Sequence, residues 1–189
     1  MKKTLIFGII FIAQLFYLSG CKSNKTAVKV PKGEVEVIVP CSGSAYFTTS
    51  EAFRANSLGE SLDQVISKKK AMTNVRAQLA ASIETTVKTV TDNYLNSREL
   101  NNREEATERF ETLNREIVNQ TLSGIKVVCE KMTRTAEGRY KTYLAVELSA
   151  TDLVTEYDAK LTKDERLRID YDYEKFKKTF EDEMSKLGK

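Results

Sequence analysis

The stretch SLDQVISKKKAMTNVRAQLAASIETTVKTVTDNY, residues 61–94, decides the fold because it is the longest helical pattern in the chain. Ser61 and Gln64 have the spacing of a capping box, which predicts Ser61 as the N-cap of a helix. Apolar residues then fall at helical spacing: Leu62, Val65, Ile66, Met72, Val75, Leu79, Ile83, Val87, Val90 and Tyr94. This pattern predicts one amphipathic helix of about 34 residues, or roughly 50 Å.

A second helical pattern runs from Glu104 to Leu122, and Gly124 is predicted as the C′ residue that ends it. Its apolar face consists of Ala106, Phe110, Leu113, Ile117 and Leu122. Strands of ordinary length span only about 17–20 Å, so the first helix must extend beyond any small sheet that it covers. We therefore expect the second helix to return antiparallel and to form a helical hairpin that projects from the sheet.

Four segments have the alternation of apolar and polar residues that is typical of β-strands. They are Val35–Val39, which stops at Pro40, then Phe53–Leu58, Ile125–Thr133 and Tyr140–Leu148. The last two flank a turn at residues 136–138 and predict a hairpin, with Tyr140, Thr142, Leu144, Val146 and Leu148 on one face. The fold class is therefore α+β, with an antiparallel sheet of three to four strands covered by the two helices.

The C-terminal part carries two further helix starts, at Ser149 with Asp152 and at Thr162 with Glu165. A helical tail from about residue 162 has apolar residues at Ile169, Tyr173, Phe176, Phe180, Met184 and Leu187. Such an amphipathic tail either folds back on the domain, which is the favoured interpretation, or meets a partner helix. We expect the helical hairpin, with the tail beside it, to be the part that contacts a partner or a second copy.

The N-terminus has the pattern of an exported protein. Met1-Lys2-Lys3 is followed by an apolar run from Thr4 to Leu18, which is typical of a signal peptide and too short to span a bilayer. Leu18-Ser19-Gly20-Cys21 then resembles the bacterial lipobox, whose cysteine is acylated and becomes the first residue after cleavage. The alternative is an ordinary signal peptide that happens to be cleaved beside a cysteine.

These features predict a signal peptide at residues 1–20, lipidation of Cys21, a polar tether at residues 21–33 and one domain at residues 34–189. Lipid on Cys21 makes the membrane the first partner. By resemblance to enterobacterial sorting, the lack of aspartate after Cys21 favours the outer membrane. Some bacterial groups send lipoproteins to the cell surface through an acidic cluster just after the cysteine. The absence of such a cluster after Cys21 favours the side of the membrane that faces the periplasm. A surface-exposed protein that binds host or glycan ligands is the alternative.

Charge argues against a nucleic-acid partner. Residues 1–20 contain two lysines and no acidic residue, so the remaining chain has 28 basic and 27 acidic residues. A nucleic-acid-binding protein normally carries a clustered basic excess. The triplet Lys68-Lys69-Lys70 is the densest basic spot, and its place in a helical pattern favours a solvated helix face.

Two cysteines remain once Cys21 is assigned to lipid. Cys41 and Cys129 predict a disulfide, because an exported chain folds in an oxidising compartment. The alternative is a pair of buried free thiols, since cysteine packs well as a small apolar residue.

The sequence contains little that could support catalysis. It has no histidine, which excludes Ser-His-Asp and Cys-His catalysis and histidine-based zinc sites. Glu104-Glu105 and the Asp170/Asp172 pair lie in charged runs that are typical of solvated faces. Gly59 and Gly124 are isolated, so neither belongs to a glycine-rich nucleotide loop. We expect no enzyme activity, no cofactor and no metal.

Two long segments resemble the twenty-kilodalton outer-membrane lipoprotein family. SLGESLDQVISKKKAMTNVRAQLAASIETTVKTVTDNY is similar to the family's strand that ends in glycine and its alanine-rich helix, and GIKVVCEKMTRTAEGRYKTYLAVEL to its paired strands. The resemblance covers about residues 50–150 and implies a helix laid over an antiparallel sheet. It brings no catalytic residues, and the charged tail and the Cys41/Cys129 pair depart from the family pattern. We expect a lipid-anchored envelope protein that acts by binding or assembly, with an unknown envelope protein or a second copy as partner.

Overall fold

The structure is a computed structural model that describes residues 31–99, 102–164, 167 and 171–187. Chain contacts divide it into two units, residues 1–37 and residues 38–189. The described part of the first unit holds a turn, in which the Glu34 amide donates to the Pro31 carbonyl oxygen at 3.1 Å. The described helices and strands all lie in the second unit. Residues 1–20, Cys21 and most of the predicted tether lie outside the described residues.

The second unit confirms the α+β fold class. Its elements are β1 (Ala52–Ser61), α1 (Gln64–Asn96), α2 (Arg103–Thr121), β2 (Lys126–Arg134), β3 (Tyr140–Ser149), α3 (Ala150–Leu161) and α4 (Tyr173–Leu187). Short 3₁₀ turns occur at Ser44–Tyr46 and Leu122–Gly124. The sheet is antiparallel in the order β1-β3-β2. The predicted hairpin is therefore β2–β3, and β3 is the central strand of the sheet.

One face of the sheet is covered by helices. Thr142, Leu144, Val146 and Leu148 of β3 are buried on this inner face, as the alternation predicts. Helix α1 packs against both β1 and β3. The residues that α1 buries are Ser67, Ala71, Val75, Leu79, Ile83, Thr86, Val87, Val90, Thr91, Tyr94 and Leu95. Helix α1 therefore contributes more buried residues than any other described element.

The start of α1 differs from the prediction. The side chain of Asp63, rather than Ser61, is the N-cap and accepts a hydrogen bond from the Ile66 amide at 2.8 Å. Ser61 is the last residue of β1 and pairs with Tyr140. Asp63 has the same capping chemistry, and it caps the helix because strand pairing holds Ser61 in the sheet.

Helix α2 returns along α1, as expected for a helical hairpin, and the Tyr94 and Phe110 rings lie 6.0 Å apart. The predicted role of Gly124 is wrong. It lies in the 3₁₀ turn that follows α2 and does not have the positive φ of a left-handed C′ residue. The helix tightens into this turn, which satisfies its last carbonyl groups without a glycine cap.

Helix α4 folds back on the domain. Phe176, Phe180 and Met184 are buried, and the Phe176 ring lies 5.4 Å from that of Tyr94 in α1. The favoured interpretation, in which the apolar face of this tail folds back on the domain, is therefore confirmed. The expected contact of the helical hairpin and tail with a partner stays a prediction. That face packs on α1 and α3 and completes the core.

Two other predictions fail in the described chain. Residues 35–39 form no strand, because a strand needs a hydrogen-bonded partner and these residues belong to no ladder of the described sheet. Thr162 does not restart a helix: it caps the end of α3 and is followed by a turn. Glu165 and Ile169, which belonged to the same prediction, lie outside the described residues.

Candidate functional site

A groove of about 370 Å³ lies between the first turns of α1 and the edge strand β2. It is lined by Gln64, Val65, Lys68, Lys69 and Met72 from α1 and by Glu130 and Met132 from β2. We call this feature the α1–β2 groove. Its residues belong to the unit of residues 38–189, and it is the best candidate for a binding site among the described residues.

The groove exists because α1 covers only part of the sheet. Glu130 and Met132 pair with Leu144 and Thr142 of β3, so their side chains point to the inner face. Helix α1 lies over β1 and β3 on that face. The inner face of β2 is consequently left beside the flank of α1, and the space between them is the groove.

Apolar side chains are exposed around the groove. Val65 is 61% exposed on the first turn of α1, and Leu62, which precedes the helix, is 69% exposed. Val127 and Val128 are exposed on β2. Contiguous exposed apolar surface on a soluble domain marks a site of interaction. These side chains give the groove and its rim the character of a protein-binding surface.

The charge around the groove is mostly positive. Lys68 forms an ion pair with Glu130, with a distance of 2.8 Å between Nζ and Oε1. This pair links α1 to β2 across the groove and neutralises the carboxylate in its lining. Lys69 is the remaining charged residue of the lining and is exposed, so the lining carries one net positive charge. Lys126 and Lys131 are also exposed, but they pair with Glu147 and Tyr143 and therefore lie on the outer face of β2.

The lysine triplet is not a continuous basic patch. Lys68 pairs with Glu130, whereas the Nζ of Lys70 donates to the Glu60 carbonyl oxygen at 3.2 Å. Successive residues of a helix point in different directions, so the three ammonium groups are spread around α1. This arrangement agrees with the solvated helix face expected from the sequence.

The two edges of the sheet differ. On β1, the Leu58 carbonyl oxygen accepts from the Asn74 side chain at 3.2 Å, and the Ala52 carbonyl oxygen accepts from the Thr49 amide at 2.9 Å. With the Lys70 bond to Glu60, these contacts block the outer edge of β1. The described residues make no comparable backbone contact with the outer edge of β2. An exposed strand edge of this kind is a template for pairing with another strand.

Cys41 and Cys129 lie at disulfide-bonding distance, with sulfur atoms 2.11 Å and Cα atoms 5.5 Å apart. Cys129 is the partner of Ala145 and therefore lies on the outer face of the sheet, opposite α1. Cys41 and Ala145 are both buried there. The cysteine pair holds the segment before β1 against this outer face and contributes nothing to the lining of the groove. Cys21 lies outside the described residues.

Apart from Lys68 and Lys69 of the lysine triplet, the groove residues carry no local motif that predicts a site. The most regular buried positions at the start of α1 are every fourth residue, Ser67, Ala71, Val75, Leu79 and Ile83. Leu62, Val65 and Ile66 were predicted on the apolar face but are exposed, so that part of the prediction is wrong. They do not follow the four-residue spacing of the buried positions, and this mismatch was the available signal.

A buried polar cluster elsewhere is structural. The Tyr157 hydroxyl donates to Oδ1 of Asn114 at 2.6 Å, and Nδ2 of Asn114 donates to Oγ1 of Thr91 at 3.3 Å. The Thr91 hydroxyl can in turn donate to the Val87 carbonyl oxygen at 2.9 Å. Burial raises the pKa of Tyr157 above its usual value, which keeps the phenol protonated. The partners satisfy one another, so the cluster joins α1, α2 and α3 and offers no reactive group.

The described residues contain no cluster of three or more histidine, cysteine, aspartate or glutamate residues that could hold a metal ion. None of the helices in the described ranges is long and apolar enough to cross a membrane. No protein-family model matches this chain, and no curated protein sequence matches it.

Proposed function

We propose that this protein is a lipid-anchored component of a bacterial envelope that acts by binding at the α1–β2 groove, without catalysis. The leader and the Leu18-Ser19-Gly20-Cys21 sequence support the anchor. The residues after Cys21 support an outer-membrane location facing the periplasm. The resemblance to envelope lipoproteins agrees with both.

The observation that carries the binding role is the combination of features at the groove. Val65 and Leu62 are exposed, the groove lining carries a net positive charge, and the outer edge of β2 has no partner strand among the described residues. Large apolar side chains that are exposed beside an unpaired strand edge mark a site of interaction with another polypeptide. A protein ligand that covers both would bury the apolar side chains and satisfy the edge.

The anchor is tested by Cys21→Ala. We expect the wild-type chain to take up labelled fatty acid and to sediment with outer membranes, and the variant to do neither. Because the variant leaves the domain unchanged, its circular dichroism spectrum serves as the control for folding. Normal labelling of the variant would contradict the proposal. Protease added to intact cells then tests the face, since a periplasmic domain should be protected.

The binding role is tested by crosslinking in living cells. A photoreactive amino acid in place of Lys69 should give a discrete adduct with a polypeptide, whereas one in place of Lys88 should not. Lys88 is the matched control because it is an exposed lysine on the same helix, away from the groove. Val65→Glu should abolish the adduct at position 69 by placing a charge in the groove. Equal adducts at both positions, or none at position 69, would refute a role for the groove.

A further inference from the structure

Residues Glu34–Val39, with the sequence EVEVIV, have the composition of a strand and form none in the structure. Val35 is 86% exposed, Val37 79% and Ile38 88%. Valine and isoleucine stabilise strands, and the exposure of several such side chains to water is unfavourable in free energy. The chain therefore contains a short apolar segment with strand propensity that has no partner strand among the described residues.

The outer edge of β2 offers the complementary feature. It is the open edge of the described sheet, and its two faces differ in character. On the inner face Met132 lies at the α1–β2 groove with Val65 and Met72. On the outer face Lys131 is exposed and pairs with Tyr143 of β3. A strand added to this edge would need apolar side chains on one face and acidic side chains on the other.

We propose that residues Glu34–Val39 of one copy add as a fourth strand to the outer edge of β2 in a second copy. The alternation of the segment matches both faces of β2. With Glu36 beside Lys131, Val35 and Val37 enter the α1–β2 groove near Met132. A shift of one residue would exchange the faces and place glutamate in the groove, so the pattern specifies the register.

Charge also favours this occupant. The segment carries two carboxylates and no basic residue, whereas β2 carries Lys126 and Lys131 on exposed positions. The groove carboxylate of Glu130 is already paired with Lys68. Opposite charges on adjacent strands stabilise pairing, and like charges oppose it.

No strand in the described part of the same chain pairs with this segment. Ile38 and Val39 remain 88% and 43% exposed, although Cys41, two residues beyond Val39, is held at β2 by its contact with Cys129. The position of Cys41 restricts where the segment of the same chain can lie. The segment of a second copy is not restricted in this way. Each copy would give one strand and receive one, which closes a symmetric dimer. The inference rests on the proposed binding role of the groove and names its partner as the same chain.

The test uses the mature chain, residues 21–189, with Cys21→Ser so that it carries no lipid, in sedimentation equilibrium. We expect a dimer. Val37→Pro should abolish it, because proline removes a backbone donor from an exposed segment without touching the core. Glu36→Lys and Lys131→Glu should each raise the dissociation constant about tenfold or more. The double variant should return it to within about threefold of the starting value, and Lys88→Glu should have no effect.

The outcomes separate this inference from the proposed function. A chain that stays monomeric at about 100 μM, far above ordinary dimer affinities, overturns the inference, and so does a double variant that is no better than the singles. If the adduct at position 69 is then formed with a different polypeptide, the groove still binds and only the identity of its partner is wrong. If the adduct has twice the mass of the chain and disappears with Val37→Pro, the inference is supported in cells.

Discussion

Gly59 of β1 and Ser67 of α1 touch backbone to backbone: a Cβ atom on Gly59 would lie 2.2 Å from the Ser67 carbonyl oxygen and 2.4 Å from the Ala71 nitrogen. The buried Ser67 hydroxyl lies 3.0 Å from the Gly59 carbonyl oxygen and 2.8 Å from Oγ1 of Thr142. This contact holds the start of α1 against β1 and β3. It therefore also sets the distance between α1 and β2, on which the groove depends.

Gly59→Ala should lower the free energy of unfolding by about 3 kcal/mol, at the upper end for overpacking, because the clashing atoms belong to the backbone and cannot rotate away. Gly124→Ala is the control, since a Cβ there meets nothing within 4 Å. It should change the free energy by less than about 0.5 kcal/mol. Urea unfolding followed by circular dichroism measures both. Equal effects of the two substitutions would show that the close approach of α1 to β1 does not limit stability.

The role of Gly59 illustrates what local patterns can predict. Helix α1 and the β2–β3 hairpin were predictable because their signals, the apolar spacing and the alternation around a turn, lie within each segment. An isolated glycine carries no such signal, since the reason for it is a helix that crosses the strand in three dimensions. The same holds for Val35–Val39, whose alternation indicates strand propensity but cannot supply a partner.

Met184→Ala tests the burial of α4, which agrees with the favoured interpretation that this helix folds back on the domain. Met184 is buried in the core, whereas Leu187 on the same helix is exposed. Met184→Ala should lower the free energy of unfolding by about 2–5 kcal/mol, and Leu187→Ala by less than about 1 kcal/mol. Chemical denaturation of the two variants side by side measures the difference. If both substitutions had similarly small effects, Met184 would not be part of the core and the burial of α4 would be contradicted.

The sequence showed that α4 has an apolar face, but not what covers it. Phe180 lies 6.4 Å from Phe53 of β1, and Phe176 lies 5.3 Å from Tyr157 of α3, measured between ring centroids. These partners come from distant parts of the chain. The groove was hard to predict for the same reason, because it is the part of the sheet that α1 happens not to cover.

Tyr157 should make stability depend on alkaline pH. Burial raises its pKa in the folded state above the usual 10.0, so above about pH 10 the unfolded chain loses this proton while the folded chain keeps it. The contribution is fully present below pH 10, and stability then falls by up to about 1.4 kcal/mol for each further pH unit. Tyr157→Phe should make this slope shallower by that amount, even though it also removes a hydrogen bond to Asn114. Urea unfolding between about pH 9 and 11.5 measures the slope, and an unchanged slope would contradict the assignment.

The last prediction concerns Cys41 and Cys129, which are separated by 88 residues in the chain. A covalent bond between them restricts the unfolded chain, so its loss should lower the free energy of unfolding by about 4–5 kcal/mol in the chain-entropy model. Cys41→Ser with Cys129→Ser removes the bond, and reductant should destabilise the parent chain but leave the double variant unchanged. Intact mass of the native protein should be two hydrogens below that of the reduced protein. Alkylation of both thiols in the native, unreduced protein would instead support two free buried cysteines, and the reductant should then have no effect on either protein.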